Sequence, residues 1–208
     1  APDWIAQDKY ALPKEGNLRG KLLEIETKVE ELQNEKEHFK QVLSKETIFK
    51  KLLYENGKPL EAVILESLIL LGFDVSQYKD SESEFDVVFE SAEGRLIGEA
   101  EGKDNKPINI DKLRQLEMNI HEDFAREEVD VVAKGVLIGN ASRFVPPEDR
   151  GDFFTEKCLT AANRSKIALI RTIDLFYVVK YLSGKKDKEF AQKCRRAILD
   201  SVGVVVFP

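Results

Sequence analysis

Cysteine and histidine are scarce in this chain, with two of each in 208 residues. Cys158 and Cys194 lie far apart without metal-ligand spacing, which argues against a disulfide framework or a zinc site. Both are expected to be reduced, structural, helical residues of a cytoplasmic protein. His38 stands beside Phe39 with no partner at ligand spacing and reads as a surface residue, and nothing in the pattern gives His121 chemistry. No apolar run is long enough for a membrane span, and no signal-peptide pattern opens the chain, so no membrane partner is expected. The first residue, Ala1, fits either removal of an initiator methionine or a fragment of a longer protein. A glycine-rich phosphate loop between a strand and a helix is missing, which disfavours a nucleotide-binding α/β domain. There is no internal repeat and no low-complexity segment.

What is present is a core and a great deal of charge. Hydrophobic residues make up 42% of the chain, enough for a substantial core, while 34% of residues are charged and the net charge is -6. An acidic balance argues against a protein that coats nucleic acid nonspecifically. It leaves room for an enzyme whose acids are partly neutralised by a bound ion.

Residues 1–16 form an irregular lead-in, in which Pro2, Pro13 and Gly16 oppose regular structure. Residues 17–56 read as a long helix. Leu18, Leu22, Ile25, Val29, Leu32, Lys36, Phe39 and Leu43 recur at alternating steps of four and three, the spacing of a coiled-coil seam with one charged member. Self-association through residues 18–43 is expected. The alternative is an amphipathic helix folded back on its own domain.

Residues 57–208 read as a separate α/β domain, after a break at Asn56-Gly57. An almost wholly apolar helix, Leu60 to Leu71, should be buried, with Gly72 ending it and Phe73-Asp74-Val75 opening a strand. Two strands follow, Phe85 to Glu90 and Arg95 to Gly102, joined by the turn Ser91-Ala92-Glu93-Gly94. A helix from Asn109 or Asp111 to Ala125 buries Ile110, Leu113, Leu116, Ile120 and Phe124. A buried strand over Lys134 to Gly139, reached through that helix, should lie parallel to its predecessor. Asn140 to Gly151 is a loop whose Arg143, Pro146-Pro147 and Arg150 either wall a site or form plain surface. Next come a helix over Asp152 to Arg164 and a strand over Lys166 to Arg171. Thr172 is expected to cap a helix through Leu182. The helix Asp187 to Asp200 carries Lys188, Lys193, Arg195 and Arg196, either as a solvated face or against a nucleic-acid backbone. Val202 to Phe207 closes the chain as a short edge strand. Helices on both faces of a sheet with parallel strands follow from this order.

The chemistry concentrates in the hairpin. Strand alternation puts Ile97, Glu99, Glu101 and Lys103 on one face, and Leu96, Gly98, Ala100 and Gly102 on the other. The small residues suit a closely packed helix, which makes the strand interior, and a carboxylate buried there needs a cation or a metal. Asp86 on the neighbouring strand comes within reach of Glu99 or Glu101. Carboxylates on adjacent strands suit a hard cation such as Mg²⁺ or Mn²⁺, with Lys103 placed to meet a phosphate or orient water. The following helix aims its amino end, Lys112, Arg114 and Gln115 at whatever the acids bind.

This spacing and the order of elements from Pro59 to Leu182 resemble the PD-(D/E)xK, restriction-endonuclease-like superfamily of nucleases. The resemblance implies a mixed sheet flanked by helices, here preceded by the coiled-coil helix. It also implies metal-dependent hydrolysis of DNA phosphodiesters, with DNA preferred to RNA. Asp86, Glu99 and Glu101 would be metal ligands, joined by Glu61 near the start of the buried helix, with Glu66 the alternative to Glu61. Lys103 and Gln115 would complete the catalytic set. Two registers are open: Asp86 with Glu101-Gly102-Lys103, or Asp86 with Glu99-Ala100-Glu101. In the second register Glu101 stands where the superfamily has lysine. That exchange motivates an alternative function, a catalytically degraded nucleic-acid-binding or scaffolding module on the same fold.

Overall fold

A computed structural model describes residues 1–77, 87–127 and 129–208. The chain divides into two compact units, Ala1–Thr47 and Ile48–Pro208.

The first unit is dominated by one helix, α1 (Glu15–Glu46), of 32 residues. None of its residues is buried. At 1.5 Å per residue it is about 48 Å long. It is preceded by two short 3-10 turns, where Trp4 and Tyr10 meet edge to face with ring centroids 5.3 Å apart. The helix stops at Glu46 instead of running on to residue 56. Ile48–Leu53 forms a 3-10 turn whose Leu52 is buried in the core of the second unit, so this stretch is held by packing there.

Among the described residues the second unit is built on a six-stranded mixed sheet with strands in chain order. Helix α2 (Gly57–Leu70) leads in. Gly72, at φ +89°, ends it in the left-handed conformation that a residue with a Cβ resists, and Phe73 N–H donates back to the Leu68 carbonyl at 3.0 Å. Strands β1 (Asp74–Gln77), β2 (Val87–Ser91) and β3 (Gly94–Gly102) form an antiparallel meander. After helix α3 (Asp111–Phe124), β4 (Lys134–Asn140) pairs parallel with β3. Helix α4 (Glu156–Arg164) leads to β5 (Ala168–Arg171), parallel to β4. Helices α5 (Thr172–Gly184) and α6 (Lys188–Asp200) precede β6 (Gly203–Val204), a two-residue edge strand parallel to β5. The expected order of elements after the coiled-coil segment is therefore found.

Strand alternation sorts the sheet's apolar side chains into two cores. Phe89, Leu96, Val136, Ile138, Ala168 and Ile170 pack with α2, α5 and α6. Val88, Ile97, Leu137 and Leu169 pack with α3 and α4. A strand covered on both faces has no solvated side, which is why β4 is buried from Gly135 to Asn140. Burial pushes the Cys158 thiol up to about 11 and the Cys194 thiol up to about 12, consistent with inert structural residues.

Three local expectations are corrected. Phe124 is 46% exposed, because α3 turns Leu113, Leu116 and, in its last turn, Asp123 inward, and Phe124 falls one residue past that face. Thr172 does not cap α5. It is the first residue inside the helix, and its hydroxyl donates to the Asn140 side-chain oxygen at 3.1 Å. Helix α4 begins four residues later than expected, at Glu156, where the Thr155 hydroxyl accepts from the Cys158 N–H.

Arg195 resolves one open alternative in α6. Its guanidinium donates to both Glu93 oxygens, at 2.6 and 2.9 Å, and to the Leu71 carbonyl at 2.6 Å. It thereby ties the β2–β3 turn to the end of α2. These donors are occupied inside the fold, so Arg195 is a structural clamp.

The same pair makes stability depend on pH. The Arg195 guanidinium holds the Glu93 carboxyl down from its ordinary 4.5 to about 2. A depressed carboxylate contributes its full stabilisation above pH 4.5 and loses it as pH falls towards 2. Glu93→Gln should therefore lower stability by about 2 kcal/mol at neutral pH, as a buried charged hydrogen-bond partner is lost. Urea denaturation curves of variant and wild type should converge as the pH approaches 2.

Candidate active site on strand β3

The site is built where β3 passes beneath α3. Arg95, Ile97, Glu99, Glu101 and Lys103 share the face of β3 turned towards that helix, as alternation requires. The opposite face is close-packed. A Cβ added at Gly102 would stand 2.5 Å from Asn56 Cβ and 2.9 Å from Asn56 Cα, so the entry to α2 lies directly against the end of the strand. Only glycine permits that approach.

Glu99 is 1% exposed. The Asn119 amide donates to its Oε1 at 2.9 Å, and the Lys112 ammonium lies 3.5 Å from its Oε2. Lys112 also donates to the Gln115 side-chain oxygen at 2.9 Å. Lys112, Gln115, Asn119 and Asp123 follow one another at steps of three and four, so they form one polar stripe along α3. At the far end of the stripe Arg95 makes a two-pronged ion pair with Asp123, at 2.5 and 2.8 Å. The seam between strand and helix is therefore polar along its length and apolar to either side.

Towards the end of the strand the site opens. The Glu101 side chain is 14% exposed and the Lys103 side chain 28%, and the two form an ion pair. Beyond them the loop after β4 is braced against the strand. Lys103 N–H donates to the Asn140 carbonyl at 2.9 Å, and Arg143 N–H donates to the Lys103 carbonyl at 3.0 Å. Arg143 also reaches the Asp104 carboxylate and the Tyr54 carbonyl, each at 2.6 Å. Asn140 is wholly buried. Its amide donates to the Glu55 carbonyl at 2.8 Å, and its oxygen accepts from Arg150 at 2.9 Å and from Thr172. Arg150 further donates to the Val145 carbonyl at 2.9 Å and to the Leu53 carbonyl, and burial lowers its pKa from the ordinary value. Of the two readings left open for this loop, these bonds favour a wall over plain surface, with Asn140 and Arg150 fastening it.

The expected site residues distribute unevenly. Glu99, Glu101, Lys103 and Gln115 come together at the β3–α3 seam. Glu61 is half-buried in α2, which packs on the opposite face of the sheet, while Glu66 is exposed on the same helix. Asp86 lies outside the described residues. The described β2–β3 ladder runs to Val87 opposite Gly98, so the acid adjoining the described end of β2 is Glu99. Asn119 and Asp123 were not legible in the sequence, since their role follows from the pitch of α3 over the strand. The spacing from Lys112 was the available signal.

Glu99 and Glu101 are hard oxygen donors two residues apart on one face, a donor set of the kind that binds Mg²⁺ with the help of waters and phosphate oxygens. Among the described residues, no group of three or more His, Cys, Asp or Glu side chains stands close enough together to hold a metal ion. Clefts of about 430, 460 and 550 Å³ lie elsewhere on the unit, and none of the three is lined by Glu99, Glu101 or Lys103. Glu101 and Lys103 are the solvent-facing end of the site, where a ligand would meet it. Among the described residues no helix is long and apolar enough to cross a membrane.

The fold is similar to that of the restriction endonuclease FokI. The two align with a TM-score of 0.50 at 10% sequence identity over 76% of this chain. The match spans 30% of the FokI chain, and at this identity it speaks to the fold alone. No family model matches the chain, and no curated protein matches it.

The seam predicts the effect of removing its amide. Asn119→Ala takes a donor from a carboxylate with no access to water, and should lower the stability of the second unit by about 1–2 kcal/mol. Glu99→Gln at the same place should cost less, because the amide keeps the shape while relieving the buried charge. Thermal denaturation of the two variants beside wild type gives the ranking.

Proposed function

We propose that this chain is a metal-dependent nuclease that hydrolyses DNA phosphodiester bonds and is dimerised by its coiled coil. The observation that carries this reading is the burial of Glu99, a carboxylate inside a sheet whose fold is similar to that of a restriction endonuclease. In the described structure the Asn119 amide and the Lys112 ammonium accompany that acid, and a divalent cation would take over the ammonium's role as its counter-charge.

In this reading Asp86, Glu99 and Glu101 would hold Mg²⁺ or Mn²⁺, while Glu61, on the helix packed against the other face of the sheet, is left out of the direct ligand set. A bound divalent ion supplies charge stabilisation at the phosphoryl oxygen and a lower pKa for the attacking water. The remaining work falls to the chain. Lys112 neutralises Glu99 while the site is empty of substrate and is free to turn to a phosphate oxygen once another cation meets that carboxylate. Lys103, at the exposed rim, stabilises charge that develops on the scissile group. Gln115 orients substrate or water from the first turns of α3. Asn119 fixes the Glu99 carboxylate plane. The register Glu99-x-Glu101 is favoured over Glu101-x-Lys103, because Glu99 is the acid that adjoins the end of β2 and is the more deeply buried.

A second reading keeps the fold and drops the chemistry, giving a nucleic-acid-binding or scaffolding module. It is favoured by the Glu101–Lys103 ion pair, in which the residue standing at the superfamily's lysine position is an acid that occupies the neighbouring lysine.

The two separate in one assay. Plasmid and single-stranded DNA are incubated with the protein and Mg²⁺ or Mn²⁺, alongside Asp86→Ala and Glu99→Gln. The nuclease reading expects cleavage that needs the metal and falls at least about a hundredfold in either variant. Binding without cleavage in both metals, unchanged by the substitutions, would support the module reading.

A further inference from the structure

Helix α1 exposes every member of its apolar seam: Leu18, Leu22, Ile25, Val29, Leu32, Phe39 and Leu43 are between 47% and 64% exposed. A helix with so much apolar surface in one stripe is complete only against a partner. The expectation of self-association leaves open how two copies meet, and the charges beside the seam answer that. We infer that α1 pairs with a second copy of itself as a parallel, in-register, two-stranded coiled coil; the inference rests on the dimer in the function proposed above.

The steps of four and three fix the heptad. Leu18, Ile25, Leu32 and Phe39 take position d, and Leu22, Val29, Lys36 and Leu43 take position a. Arg19, Glu26, Gln33 and Lys40 then fall at position e, and Lys21, Lys28, Glu35 and Val42 at position g. In a parallel pair each g residue meets the partner's e residue five places on. Lys21 then faces the partner's Glu26, Glu35 faces the partner's Lys40, and Lys28 faces the partner's Gln33. None of these is a like-charge pair. The one unfavourable flank, Lys14 against the partner's Arg19, falls at the helix cap, where Glu15 already pairs with Arg19 in its own chain.

The antiparallel alternative overlaps equally well in its apolar layers, with Leu22 on the partner's Phe39 and Val29 on the partner's Leu32. Its flanks are worse. Position e then meets position e, which sets Arg19 against the partner's Lys40 at both ends, offset only by Lys28 against the partner's Glu35. Lys36 decides in the same direction. Antiparallel pairing lays its ammonium on the partner's Ile25 in two places. Parallel pairing confines the mismatch to one layer, Lys36 with the partner's Lys36, from which two long stems can carry their charges outward to the rim. A lysine at a single a position also penalises three-stranded assemblies and shifted registers, in which it is buried more deeply or set on an apolar layer. Both chains then leave the coil at the same end, after Thr47.

Cysteine cross-linking of the full-length protein tests this, because Cys158 and Cys194 are enclosed in the core and an introduced thiol is read by itself. Lys36→Cys and Ile25→Cys are oxidised separately and as an equimolar mixture, with sedimentation of the unoxidised samples in parallel. The parallel register expects each variant to form a covalent dimer by itself, while mixed dimers in the mixture stay unlinked. Linkage only in the mixture would overturn the orientation while leaving the dimer intact. Trimers in sedimentation would overturn the two-stranded state, and monomers throughout would remove the self-association reading together with this inference.

Discussion

The unit that carries the candidate site depends on the way one carboxylate is kept out of water. Glu99 sits at the middle of a nine-residue strand, covered by α3, with an amide and an ammonium for company. Buried charge of this kind adds little net stability compared with an apolar pair, so its presence constrains the structure in another way. It fixes which face of α3 must be polar, and so sets the rotation of that helix over the sheet. The apolar residues Leu113 and Leu116 follow on the flank, and Asp123 is carried to Arg95 one strand repeat from Ile97. The polar seam thus determines where the second apolar core begins.

The other end of β3 is organised by backbone carbonyls. Asn140 and Arg150 bond to the carbonyls of Glu55, Val145 and Leu53, so the connection into α2 is pinned to the end of β4. These carbonyls lie in loops or at the end of the 3-10 turn Ile48–Leu53, outside any sheet ladder, and two side chains rich in donors satisfy them. The consequence is a firm rim around Glu101 and Lys103. In the function proposed for this chain, a firm rim keeps the reactive geometry fixed while solvent and substrate come and go.

The long helix follows different physics. Within its own unit the apolar stripe of α1 is exposed throughout, and in the pairing inferred above its flanking charges meet those of a second copy. The second unit buries its own surface in two cores and has no such need. The two units therefore differ in kind: packing within the chain completes the second, and the inferred pairing is what would complete the first.

The sequence by itself determined the order of strands and helices, the interior position of β3, the close-packed glycine face and the gathering of Glu99, Glu101 and Lys103 on one side. Period-two alternation and small residues act locally, and local patterns survive folding. The long helix was legible for the same reason, from the four-and-three spacing of its apolar residues. Tertiary structure alone decided what those charges meet. Asn119 and Asp123 join the seam through the pitch of α3 over the strand. Arg195 is withdrawn from α6's basic face because Glu93 and the Leu71 carbonyl, each more than a hundred residues away, converge on it. Thr172 leaves its helix cap for Asn140, 32 residues away. Such partners are chosen by where distant elements come to rest against one another, and no window of sequence contains that information.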